Sequence, residues 1–242
     1  MKSLFLFGAS AVIAGLACGS VQAAAPMVKT QPGYYRMMLG DFEITALSDG
    51  AIEFPADKLL TNTTPLEVAK ALSSNYLRSP FDVSVNTFLV NTGSRLVLVD
   101  TDAGSLFGAV LGKLSGSLTA AGYLPEQVDE VYLTHMHADH VGELMAGDKL
   151  AFPNAVVRAD KRDADYWLRS ENIEKAPDEA KIHFQVAQVS VKPYVNAGKF
   201  KPFNGYTELL PASKQSPATA TRPDTASMQS RVMDRSSCSG AT

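Results

Sequence analysis

The sequence predicts an α/β fold, a β-sheet covered by helices, on three observations. Short β-branched apolar runs recur between turn signals, a helical apolar period separates two of them, and the pieces follow the order β, β, α, β before a further strand and helix. The 242 residues are 45% hydrophobic and 19% charged, which is ordinary for a soluble globular chain able to bury one sizeable core.

The elements are read in order. After a linker ending near Pro32-Gly33, Phe42 to Leu47 alternates like a half-buried strand, and Ser48-Asp49-Gly50 is expected to turn it back. Asn86 to Val90 and Leu96 to Val99 read as a hairpin across Asn91-Thr92-Gly93-Ser94. From Leu106 to Ala121 the apolar period is helical, and Gly122 stops it. Val128 to Leu133 is a short buried strand, Ala155 to Ala159 another, and Ala164 to Leu168 lies in a helix.

Both ends of the chain differ from this middle. Lys2, the apolar run Leu4 to Ala17 and the small residues of Val21-Gln22-Ala23 have the layout of a signal peptide over 1–23, which predicts a periplasmic or secreted protein. Leu16-Ala17-Cys18 loosely resembles a lipoprotein cleavage box, but Gly15 stands where a large aliphatic residue is usual. The run is shorter than the roughly 20 apolar residues of a spanning helix, so no stable membrane anchor is expected. Past Pro211, residues 212–242 are rich in Ser, Thr and Ala and lack Leu, Ile, Phe, Tyr and Trp, a composition expected to stay disordered.

The formal net charge of −3, with Lys and Arg scattered, offers no basic stripe for nucleic acid and leaves small molecules as the expected partners. There are two cysteines, Cys18 and Cys238, so no disulfide framework or cysteine metal site is expected.

The chemistry concentrates in Thr134-His135-Met136-His137-Ala138-Asp139-His140. His135 and His137 are two apart at the end of an extended run, so both imidazoles point to one side and can share an ion. Asp139 and His140 follow in the turn opening the next helix, where they can hold a second. Imidazole and carboxylate suit zinc, with cobalt, manganese or iron as substitutes. Two ions about 3.5–4 Å apart can share an activated water and stabilise charge on an attacked carbonyl or phosphoryl oxygen. Asp139 is thus the candidate catalytic carboxylate as well as a ligand. His183, isolated in Lys181-Ile182-His183-Phe184, reads either as a helix-surface residue or as a further ligand.

HxHxDH, together with Leu98-Val99-Asp100-Thr101, resembles the signature of the metallo-β-lactamase superfamily, which implies an αβ/βα sandwich. Pro32 to Met37, Gly40 to Gly50 and Ala151 to Asp160 are similar to the methyl parathion hydrolase group of exported organophosphate triesterases. The resemblance covers roughly 24–211, only the N-terminal half to two-thirds of such a domain. It implies two divalent ions, a metal-bridged hydroxide as nucleophile, an aromatic leaving-group pocket of Phe107, Trp167 and Phe184, and compatibility with a homodimer. Core packing is the other reading of those three aromatic residues. Asp100 is expected to orient the metal loop rather than to ligate. Asp102 departs from the superfamily, which usually has Gly after the Asp-Thr pair.

The resemblance also implies a further His, a bridging Asp and a last His after His140, and only His183 follows in this frame. Read one nucleotide out of register, the codons after Pro211 permit PGIKAVPSHGHTPGHS and, later, ESxGQKLLLWGD. A frameshift just after Pro211 is therefore expected. Three functions stay open: a binuclear phosphotriester hydrolase, a lactone or carboxyl-ester hydrolase with the same centre, and an inactive remnant or weak metal-binding module.

Overall fold

The computed structural model describes residues 31–205. The expected signal peptide, the tail 212–242 and the register change after Pro211 lie outside them.

Tyr34–Leu39 (β1) and Phe42–Phe54 (β2) form a hairpin, followed by Ala56–Leu59 (α1) and Pro65–Ser73 (α2). Next come Phe81–Asn91 (β3), Leu96–Val99 (β4), a 3-10 segment at Gly104–Val110 and Leu114–Ala120 (α3). Glu130–Tyr132 (β5) leads to Ala138–Val141 (α4), then Met145–Ala146 (β6), Lys149–Leu150 (β7) and Val156–Arg158 (β8). Lys161–Leu168 (α5), Ser170–Lys175 (α6) and Asp178–Asn196 (α7) close the described chain.

The main sheet has the order β1-β2-β3-β4-β5-β8. Its first four strands pair antiparallel, and β4-β5 and β5-β8 pair parallel. Parallel neighbours need crossovers, and α3 and the α4-to-β7 segment provide them. The α/β architecture expected from the sequence is thus present. Glu130 ties the parallel strands laterally, its two carboxylate oxygens meeting Arg95 at 2.6 Å and Arg158 at 2.5 Å. One apolar core joins Leu47, Leu89 and Leu98 of the sheet to Leu114 and Leu118 of α3 and to Ala187, Val191 and Tyr194 of α7.

Two local expectations are corrected. Ser48-Asp49-Gly50 does not turn β2 back: the strand runs through it to Phe54 with a register shift between Ser48 and Gly50, a β-bulge. The reason is tertiary, because Asp49 is wholly buried and accepts the backbone N–H groups of Lys113 (2.5 Å) and Leu114 (3.1 Å) at the start of α3. The turn lies earlier, at Gly40-Asp41. The helix expected over 106–121 is broken between Val110 and Leu114, and Gly112 adopts φ +79°. There a Cβ would stand 2.8 Å from the Gly104 carbonyl, so backbone packing overrides the apolar period. Among the described residues no helix is long and apolar enough to cross a membrane.

Candidate metal centre

The three parallel strands β4, β5 and β8 deliver their C-terminal ends to one edge of the sheet, where α/β folds place their sites. β5 hands over at Leu133 to the histidine loop, and α4 begins directly after His137, whose extended backbone (φ −72°, ψ 160°) caps it. His135 and His137 therefore belong to extended chain, and Asp139 and His140 to the first turn of a helix.

This placement brings the donors together in pairs. His135 Nε2 and His137 Nδ1 are 3.2 Å apart, close to the spacing of about 3.4 Å for two nitrogens sharing a tetrahedral zinc at about 2.0–2.1 Å. Asp139 Oδ2 and His140 Nε2 are 3.5 Å apart. The rings of His135 and His140 lie 3.9 Å apart between centroids, tilted by 47°, which joins the pairs into one cluster. No group of three or more His, Cys, Asp or Glu among the described residues converges as a ready-made ion cage. The donor chemistry of the pairs nonetheless fits divalent ions of the zinc class.

Electrostatics distinguishes the two pairs. Burial, then the proximity of His140 and His137, pushes His135 down to about 4, which leaves its imidazole neutral at ordinary pH. His137 is lowered too, chiefly by burial. Burial alone would also lower His140 and raise Asp139, but their mutual hydrogen bond, with Asp100 beside His140, reverses both. His140 thus holds its proton to about pH 10 and Asp139 stays ionised to about pH 2, so an ion bound between them has to displace the His140 proton. A cation is electrostatically favoured where two carboxylates flank that imidazole.

The supporting groups lie on β4's continuation. Asp100 Oδ2 contacts His140 Nδ1 at 2.9 Å, leaving Nε2 turned toward Asp139. Metal-ligating histidines are commonly oriented by such a carboxylate. Asp100 also accepts the Thr134 N–H at 2.8 Å and Thr134 Oγ1 at 2.8 Å. The segments 100–103 and 140–143 are laced by Thr101 N to His140 O (2.8 Å), Gly142 N to Asp102 O (2.8 Å) and Glu143 N to Thr101 O (3.1 Å). Asp102 takes φ +50°, a conformation easier for glycine, and its buried Oδ2 has no partner among the described residues.

Trp167 and Phe184 pack with ring centroids 4.6 Å apart, and Trp167 meets His137 edge-on at 5.3 Å. An aromatic pair therefore stands against the His135–His137 pair. Tyr166, which the sequence reading missed, touches both rings at 5.0 and 5.2 Å. Phe107 lies on the 3-10 segment, 45% exposed, and makes no ring contact with Trp167 or Phe184. Asp163 was also missed; its Oδ1 accepts Trp167 Nε1–H at 3.1 Å. Asp163 sits four residues before Trp167, a helical spacing that could have suggested the pair.

Comparison with known proteins identifies the family. The chain is similar to the crystal structure of the hydrolase AbOPH of the beta lactamase superfamily, at 34% identity and a TM-score of 0.70 over 75% of this chain and 64% of that one. It is similar to the dizinc quorum-quenching lactonase AidC at 26% identity and a TM-score of 0.66, over 73% and 63% of the two chains. An uncharacterized protein of Bacillus subtilis (strain 168), YobT, is 35% identical over 82 residues, 33% of this chain and 31% of its own. The chain spans less than two thirds of the length of these relatives. The model of the Metallo-beta-lactamase superfamily matches residues 80–220, a span that contains the whole histidine loop and its Asp100 support, and the chain belongs to that superfamily.

Proposed function

We propose that this chain carries the metal-dependent hydrolytic chemistry of an exported phosphotriesterase. The observation that carries the reading is the 3.2 Å approach of His135 Nε2 to His137 Nδ1 beside an Asp139–His140 pair that Asp100 orients. His135 and His137 would hold one divalent ion, zinc first, and Asp139 and His140 a second. Such ions supply Lewis acidity and lower the pKa of water. The protein's own part is orientation and exclusion. Asp100 and Thr134 fix the His140 ring, and Asp139 keeps its negative charge across the useful pH range. Trp167 and Phe184, only 7% and 3% exposed, belong to the apolar core and keep water off one side of the His135–His137 pair.

A second reading, lactone hydrolysis, is supported by the similarity to the lactonase AidC. Turnover of aryl phosphotriesters and of N-acyl homoserine lactones, with and without chelator, separates the two, and no chelator-sensitive turnover of either sinks both. Export is proposed on the 1–23 segment alone, and detection of the chain in periplasmic or culture fractions tests it. We also propose a reading-frame change after Pro211, supported by the alternative frame that the codon choices for residues 212–242 allow. Nucleotide sequence across 205–242 without an alternative superfamily-like frame ends that idea.

A further inference from the structure

The chain has four histidines, and the metal loop contains three of them. The fourth, His183, stands six positions into the 19-residue helix α7. That helix packs directly on α4, the helix that starts inside the metal loop. The His183 ring lies 6.2 Å from the His137 ring, centroid to centroid, and His137 is its ring neighbour among the described residues. His183 is exposed, whereas the next residue, Phe184, is buried against Trp167 and anchors this turn of the helix.

We propose that His183 is a third imidazole ligand for the ion held by His135 and His137. The inference rests on the metal reading above. A catalytic zinc normally takes three protein ligands, and His140, turned by Asp100 toward Asp139, serves the other ion. The His135–His137 pair, already spaced to share an ion, has centroids 4.6 Å apart. His183 has to close the difference between that separation and its own. Closing it requires a change of the His183 rotamer, which the exposure of that side chain leaves room for. The fixed neighbours favour the approach, since the Trp167 edge holds the His137 ring in place while His183 swings.

The test titrates zinc into the purified 242-residue protein against a chromophoric chelator and records the visible absorption of the cobalt-loaded form. Neither readout depends on activity. His183→Ala and His183→Gln are compared with the unaltered chain and with Gln185→Ala, an exposed control on the same helix. Even changes to partners of metal ligands cost about 10-fold or more in affinity. Loss of a ligand is therefore expected to weaken zinc by at least that factor and to alter the cobalt spectrum in both His183 variants, with Gln185→Ala unchanged. Equal affinity and spectra in the His183 variants overturn the proposal while leaving the pairwise metal reading standing. Failure of the unaltered, folded chain to bind either ion overturns both.

Discussion

Asp100 and His140 meet at 2.9 Å, Oδ2 to Nδ1, while the other oxygen of the same carboxylate accepts the Thr134 N–H at 2.8 Å. One side chain thereby fixes both the entry to the histidine loop and the last histidine in it. Asp100 adopts φ +64° to do so, a conformation that costs roughly 1 kcal/mol in a non-glycine residue.

Asp100→Asn should therefore weaken metal binding more than it weakens the fold. The amide keeps the shape but can accept on only one atom, so either Thr134 or His140 loses its partner. Zinc affinity is expected to fall about 10- to 100-fold, read by chelator competition, with a thermal midpoint shift of only a few degrees. Unchanged affinity would remove Asp100 from the metal centre.

The histidine loop was legible in the sequence because its donors are contiguous and its geometry is local: extended chain for HxH, helix start for DH. What lay beyond reach depends on contacts made by distant residues. Ser48-Asp49-Gly50 has turn composition, yet Asp49 is used 64 residues later to accept the Lys113 N–H, and that holds the strand straight. The apolar period over 106–121 ignores Gly112, whose role appears only when Gly104 packs against it. Asp100 could be named as an orienting group from the motif, but the approach of His183 to His137 depends on how α7 docks.

Asp102→Gly and Asp102→Asn should both stabilise the protein, and differently with pH. Burial, then the charges of Asp49, Asp100 and Glu143, raise the Asp102 carboxyl from 3.8 to about 8. Between those values the folded state keeps a proton that the unfolded chain has released, so rising pH costs stability across that window and no further above it. Near pH 4.5 the glycine variant should gain about 1 kcal/mol from relieved backbone strain. Near pH 8 both variants should gain several kcal/mol more than near pH 4.5. Denaturant unfolding at the two pH values checks this, and a pH-independent gain would place the carboxyl outside the cluster.

Gly142→Ala should be among the most damaging single-methyl additions. Its Cβ would stand 2.2 Å from the Ala103 carbonyl oxygen and 2.4 Å from its carbon, both backbone atoms that cannot rotate aside. The clash falls where Gly142 N–H reaches Asp102 O, so the loop carrying His140 has to separate from the strand end carrying Asp100. A loss of about 3 kcal/mol is expected, together with weaker metal binding. Wild-type stability and affinity would contradict the close approach.

Tyr194→Phe tests the polar contact inside the core. The wholly buried Tyr194 hydroxyl donates to the Leu144 carbonyl at 3.0 Å and accepts the Phe152 N–H at 3.2 Å, linking α7 to both sides of the β6–β7 hairpin. Removing it leaves two buried backbone groups without this partner, a loss of about 1–3 kcal/mol in denaturant unfolding. The metal loop should be unaffected, since Tyr194 touches none of it.

Trp167 is the sole tryptophan, so its fluorescence reports on the wall beside His137 without interference. Its Nε1–H donates to Asp163, a carboxyl that burial raises to about 6, because donation from Trp167 and the Met136 backbone only partly offsets the lost hydration. As pH rises from about 4 to about 6 the unfolded chain ionises first, so this group costs stability through that window. The folded protein should show a fluorescence step centred near pH 6, at the upper end of that window, as the acceptor beside the indole gains its charge. Asp163→Asn should abolish the step while leaving the folded baseline. A step that survives the substitution assigns the titration to another group, such as the neighbouring imidazoles, and removes Asp163 from control of the indole.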